Sequence, residues 1–66
     1  MCSSDLYNLA CVHGLYGDAE QSAHWLRLAK QKNVRCPDCA HIDADTDFDR
    51  VRDTPIFQQA LAEIGC

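Results

Sequence analysis

The residues of this chain best suited to chemistry are its thiols. Cys36-Pro37-Asp38-Cys39 is a CxxC motif, and His41 follows two residues later. Thiolates at that spacing chelate zinc, with the imidazole as a third ligand, or interconvert as a dithiol and a disulfide. Structural zinc wants four ligands, usually as two close-spaced pairs. The other candidates are Cys2, Cys11, His13, His24 and Cys66, and they form no second close-spaced pair. A thioredoxin-like site also needs a strand before the motif and a helix opening at its first cysteine. Here the pattern offers the helix without the strand. Structural or incidental cysteines are the favoured reading, with no cofactor expected. A zinc-binding or thiol-redox module on Cys36, Cys39 and His41 is the alternative.

Two further constellations invite chemistry. Asp43, Asp45, Asp47 and Asp49 alternate like the start of a calcium loop. An EF-hand requires a glycine after the third ligand and a glutamate closing the loop, and Phe48 and Thr54 stand there instead. Turns, a helix cap and a solvated acidic face account for the aspartates. His13 and His24 fall on two helices that should pack against each other, yet spacing fixes no nucleophile or carboxylate beside them. Core or partly exposed histidines are the expectation, and Trp25 is expected to pack rather than to stack on a ligand. No enzymatic activity is expected.

Composition narrows the class. At 66 residues the chain is at most one domain, small enough to need disulfides, a metal, a partner or very good helix packing. It is 47% hydrophobic and 24% charged, within the globular range. A net charge of −4 lacks the basic footprint that neutralises phosphates, so no nucleic-acid partner is expected. No apolar run approaches the roughly 20 residues of a membrane span. Residues 1–10 show no positive segment leading into an apolar stretch, so no secretory leader is expected. Five cysteines cannot all pair within one chain. Together these observations predict a reduced, cytoplasmic setting.

The elements that must position these residues read as helices. Leu6, Leu9, Ala10 and His13 share one face of a first helix, capped by Ser3 or Ser4, while Tyr7, Cys11 and Leu15 form a second stripe. Gly14 and Gly17 loosen its end, and Gly17-Asp18 marks the turn. Asp18 caps a second helix, with Gln21 placed for a capping box. Ala19, Ser22, Ala23, Leu26 and Ala29 line its buried face, which Trp25 and Leu28 widen, and Asn33 terminates it. Residues 34–47 are irregular, apart from one possible turn at Pro37–His41. Phe48–Arg52 is at best a short helical segment. Thr54-Pro55 then starts a last helix, carrying Phe57, Ala60, Leu61 and Ile64 at i, i+3, i+4 and i+7 and closed by Gly65.

The stretch Tyr7-Asn8-Leu9-Ala10-Cys11, Gly17-Asp18, Ser22, Leu26 and Ala29 resembles a tetratricopeptide (TPR) repeat. In that family a large and a small residue in the first helix precede a Gly-Asp turn. A small residue, a large one and an alanine then follow in the second helix. His13 stands where the family usually has an aromatic residue, and the proline that ends the second helix is replaced by Asn33-Val34. The segment from Asp45 to Phe57, DTDFDRVRDTPIF, resembles the tail that often follows the last repeat in bacterial TPR proteins. In that tail the position of Cys39 commonly holds a buried apolar residue.

The resemblance implies an all-α fold. Residues 3–33 form an antiparallel TPR-like hairpin, 34–47 a loop with a short helical turn, and 48–65 a tail whose helix caps the second helix. It implies a core of Leu9, Ala10, His13, Ser22, Leu26, Ala29, Phe48, Val51, Phe57 and Leu61. Arrays of this kind need about three repeats to bury a continuous core. The expected function is therefore protein or peptide binding, stacking on upstream repeats, or homo-oligomerisation. The groove-facing positions that follow from the resemblance are Tyr7, Asn8, Cys11 and Leu15.

Overall fold

The computed structural model describes residues 5–32 and 38–66. The expected caps at Ser3, Ser4 and Asn33, and the motif cysteine Cys36, lie outside them. The fold is all-α, and the described residues form four helices, α1 (Asp5–Leu15), α2 (Ala19–Lys32), α3 (Cys39–Ala44) and α4 (Pro55–Glu63), and a 3-10 turn at Thr46–Phe48. No strand occurs among the described residues. α1 and α2 fold back on each other, α4 packs against α2, and the 3-10 turn packs against α1.

Hydrogen bonding at the helix ends sets the path of the chain. Gly17 has φ +82°, the left-handed conformation that side chains resist. Its N–H reaches the Gly14 carbonyl at 3.1 Å, and the Asp18 N–H reaches that of His13 at 2.9 Å. These two bonds form a Schellman motif. Asp18 at once becomes the cap of α2, its Oδ1 accepting from the Gln21 N–H at 3.1 Å. One aspartate thus ends the turn and starts the next helix. Thr54 does the same for α4: its Oγ1 accepts from the Phe57 N–H at 3.3 Å, with Pro55 at the first position, as the sequence predicts. Gly65, at φ +86°, closes α4 with a second Schellman motif, the Cys66 N–H reaching the Leu61 carbonyl at 2.7 Å. The irregular stretch expected over 34–47 contains α3, which Asp38 caps through a 2.7 Å bond from the His41 N–H.

Small residues let the helices meet. Ala10, Ser22, Ala23, Leu26 and Ala29 are fully buried, and the Ser22 hydroxyl donates to the Ala10 carbonyl at 2.9 Å. Phe48, Val51, Phe57, Ala60 and Ile42 complete the core. The expected core thus forms at Ala10, Ser22, Leu26, Ala29, Phe48, Val51 and Phe57, while Leu61 and His13 are half-buried. Leu9 departs from expectation: it is 38% exposed. Apolar residues ring α1 nearly evenly, so its periodicity does not select a face. The selection comes from Gly14. A Cβ there would lie 2.7 Å from the Asp47 carbonyl oxygen and 3.0 Å from Phe48 Cδ1. The side of α1 that lacks a side chain receives the 3-10 turn, so the buried line runs Tyr7, Ala10, Gly14 and Leu9 turns outward.

Two stability predictions follow. Leu26→Ala leaves a cavity at the hairpin's centre and should cost about 2–5 kcal/mol, enough to unfold most of a domain this small; urea titration followed by circular dichroism measures it. Gly14→Ala should also destabilise, although alanine is the better helix former by ~1 kcal/mol. The clash is with backbone, and overpacking costs about 1–3 kcal/mol. A Gly14→Ala protein that melts above the parent would show that the 3-10 turn does not sit against α1.

Candidate functional site

The polar centre of the molecule lies where α1 meets the segment between α3 and the 3-10 turn. Asp45 leaves α3 as its C-cap and caps the 3-10 turn, its Oδ1 accepting from the Asp47 N–H at 3.0 Å. Its other oxygen, Oδ2, accepts from the Tyr7 hydroxyl at 2.6 Å and from the Cys11 thiol at 3.6 Å. Tyr7 and Cys11 are one helical turn apart on α1, so one carboxylate serves both. The Tyr7 ring meets the rings of His41 and Phe48 edge-on, with centroids 5.3 and 5.8 Å away. Arg52 supports the segment from beneath. Its Nη2 donates to the carbonyls of Ile42 at 3.2 Å and Asp45 at 2.8 Å, closing the C-terminal end of α3. Asp43 and Asp49 each lie 3.8 Å from the same guanidinium.

Burial alone would raise the Asp45 carboxyl. The Tyr7 hydroxyl, the Asp47 N–H, the Cys11 thiol and the charge of His41 together hold it below its ordinary value. The donors respond in the opposite sense. Burial, then the bond to Asp45, pushes the Tyr7 hydroxyl far up, and burial with the negative charge of Asp45 pushes the Cys11 thiol up to about 12. Cys11 is thus a protonated, weakly nucleophilic thiol at neutral pH.

Sγ of Cys11 and carboxylate oxygens of Asp45 and Asp47 lie within 4.8 Å of one another, a grouping with the donor types of a divalent-metal site. The Asp45 oxygens already accept three hydrogen bonds, and a cation would have to displace the Cys11 proton and break the contacts that tie α1 to the turn. The residues fit a structural hydrogen-bond network better than a metal. Of the four alternating aspartates, Asp45 is a cap and half-buried acceptor, and Asp43 and Asp49 face Arg52.

The positions proposed to face a groove divide in two. Tyr7 is buried and Cys11 half-buried, both bonded to Asp45, whereas Asn8 and Leu15 are exposed. The chain's own segment lies over the side of α1 on which Tyr7 and Cys11 sit. The exposed apolar residues of α1 and the turn that follows it form a different line: Leu9, Val12, Leu15 and Tyr16, exposed by 38, 44, 53 and 80%. Leu9, Val12 and Tyr16 recur at i, i+3 and i+7, and Leu15 lies beside them, so they form one strip.

The thiols also differ from expectation. Cys39 is bonded not within the CxxC motif but to Cys66, with Cα atoms 5.5 Å apart and a separation of 27 in sequence. In this bonded form Cys39 is neither a thiolate ligand nor half of a couple with Cys36. His41 is exposed and makes its ring contact with Tyr7. His24 stands edge-on to Trp25, centroids 5.1 Å apart, and Trp25 packs against the core as expected. Sequence reasoning missed the pairing of Tyr7 with Asp45, 38 residues away. The available signal was the aspartate at the head of the tail motif, read there with its neighbours as part of turns, a cap and a solvated acidic face.

No protein-family model matches this chain, and comparison with curated proteins and with solved structures gives no match. The site is thus defined by its own geometry.

The network makes a testable acid response. The lowered Asp45 carboxyl contributes stability that is present above its unfolded value of 3.8 and is lost as pH falls below it. Cys11 works in the other sense, contributing stability below its unfolded value of 9.0 that disappears as pH rises toward about 12. Tyr7→Phe should cost about 1–3 kcal/mol at neutral pH. It should also flatten the loss of stability below about pH 5, because Asp45 then titrates nearer its ordinary value. Denaturant melts of both proteins across that range test this, and parallel curves would remove Tyr7 from the acid response.

Proposed function

We propose that this protein is a non-catalytic protein-interaction module whose exposed α1 face takes a second helical hairpin, either another copy of the chain or an upstream repeat. The observation that carries the reading is the strip of Leu9, Val12, Leu15 and Tyr16 on one side of α1. A contiguous apolar strip on so small a surface marks an interaction site, and its helical spacing suits a helix partner. Asn8, exposed beside it, adds a polar group able to bond a partner's backbone.

The TPR-like pattern supports the same reading. In stacked repeats each hairpin buries one face against its own pair and the other against a neighbour. The proposed partner-facing set moves accordingly from Tyr7 and Cys11, which the tail engages, to Leu9, Val12 and Tyr16, with Asn8 and Leu15 retained.

No helix among the described residues is long and apolar enough to cross a membrane. A cytoplasmic location remains the proposal for the unmodified chain, with a condition set by Cys39–Cys66. That bond persists in an oxidising compartment and is open to reduction in the cytosol.

Val12→Asp tests the face without touching the core, since Val12 is exposed. Analytical ultracentrifugation over a range of concentrations should show association of the parent chain and its loss in the variant, with thermal stability changed by no more than about 0.5 kcal/mol. A parent that stays monomeric throughout, alone and when fused behind a second copy of the 5–32 hairpin, sinks the stacking role.

A further inference from the structure

α3 is held at its two ends by different means. Its C-terminal end is fixed from within: Ile42 is buried, and Arg52 donates to the Ile42 and Asp45 carbonyls. Its N-terminal end, Cys39 and Ala40, is exposed. Apart from the local cap of Asp38, this end is tied to the rest of the fold through Cys39, by the disulfide to Cys66 and a 3.7 Å approach of its Sγ to the Gly65 carbonyl, and by the edge-on contact of His41 with Tyr7. Six residues are far too few for a helix to persist without tertiary support. Gly65 in its left-handed conformation turns the chain after α4 so that Cys66 meets Cys39. Between α3 and α4 lies a cleft of about 310 Å³, lined by Ile42 and Leu61 with both cysteines at its edge. Cys39 and Cys66 are both exposed, the condition under which a disulfide is accessible to exchange rather than sealed as a staple.

We infer that Cys39–Cys66 is a thiol-exchange site, opened by a small thiol reductant of the glutathione class, and that its opening frees the N-terminal end of α3 from α4 and widens the cleft lined by Ile42, Leu61, Asp43 and Arg52. The inference goes beyond the interaction role and does not depend on it, since the strip on α1 is a different surface. A thiolate of the reductant attacks Sγ of Cys66. The Sγ–Sγ bond breaks, a mixed disulfide forms at Cys66, and Cys39 leaves as a thiolate that takes a proton. A second reductant thiolate attacks the mixed disulfide, releasing Cys66, which is protonated in turn. Two electrons pass to the protein cysteines, and two reductant molecules leave joined as their own disulfide. The core of Leu26, Phe48, Val51 and Phe57 takes no part in this, so the hairpin and α4 stay folded in both states.

The experiment is hydrogen exchange, resolved by peptide, on the full chain in three forms: oxidised, equilibrated in a glutathione buffer of cytosolic ratio, and carrying Cys39→Ser with Cys66→Ser. The serine variant isolates this bond from any effect of the buffer on other cysteines. Exchange over residues 39–44 should rise at least about tenfold in the reduced and serine forms alike, while central amides of α1, α2 and α4 stay within about twofold of the oxidised protein. A bond that survives the glutathione buffer overturns the exchange site. Unchanged exchange over 39–44 in the serine variant overturns the latch, and loss of protection across all helices shows a staple of the whole fold instead.

Discussion

The structure depends on how closely other backbones can approach α1. At Ala10 the approach comes from α2, and the Ser22 hydroxyl crosses the gap to the Ala10 carbonyl. At Gly14 it comes from the 3-10 turn, whose Asp47 carbonyl occupies the space a Cβ would need. A single methyl at the second point would push away the turn that carries Phe48 into the core. Because interiors are packed as tightly as organic crystals, so short an approach fixes which face of α1 is inside. The burial of Tyr7, the exposure of Leu9 and the place of Asp45 all follow from that choice.

Asp45 and Arg52 turn this steric fit into a defined path for the tail. Asp45 accepts from Tyr7 and Cys11 on α1 and from its own turn. Arg52 adds a second donor to the carbonyls of Ile42 and Asp45, which also accept from the Asp45 and Phe48 N–H groups. The two side chains thus satisfy backbone groups at three changes of direction in a segment with little regular structure. This gives a physical meaning to the tail pattern: Asp45 caps and ties, Phe48 and Val51 fill the core, Arg52 closes α3, and Pro55 and Phe57 begin and anchor α4. By contrast, the pair of Arg27 with Glu63, which joins α2 to α4 at 2.5 Å, is a surface contact of little weight.

The balance of stabilising devices suits the size of the chain. A domain this small buries a limited share of its surface, and here the alanines and one serine of the hairpin maximise close contact rather than volume. The larger apolar groups come from the tail, where the Phe48 and Phe57 rings lie 5.1 Å apart. What is left uncovered is equally informative. The strip on α1 is apolar and exposed, while the polar network lies on another side of the same helix. The apolar strip and the stabilising network therefore occupy different sides of one helix.

Local chemistry determined much of this protein by itself. Asp18, Thr54, Pro55, Gly17 and Gly65 mark helix ends in the sequence because capping and left-handed turns depend on residues within a few positions of each other. The buried face of α2 was legible for the same reason, since its apolar residues follow one period. The tertiary structure alone decided the rest. Around α1 apolar side chains point in every direction, so its inner face was set by Gly14 meeting a turn more than thirty residues away. The partner of Tyr7 and the pairing of Cys39 with Cys66 were likewise invisible, because contacts between distant segments depend on how helices dock and not on spacing along the chain.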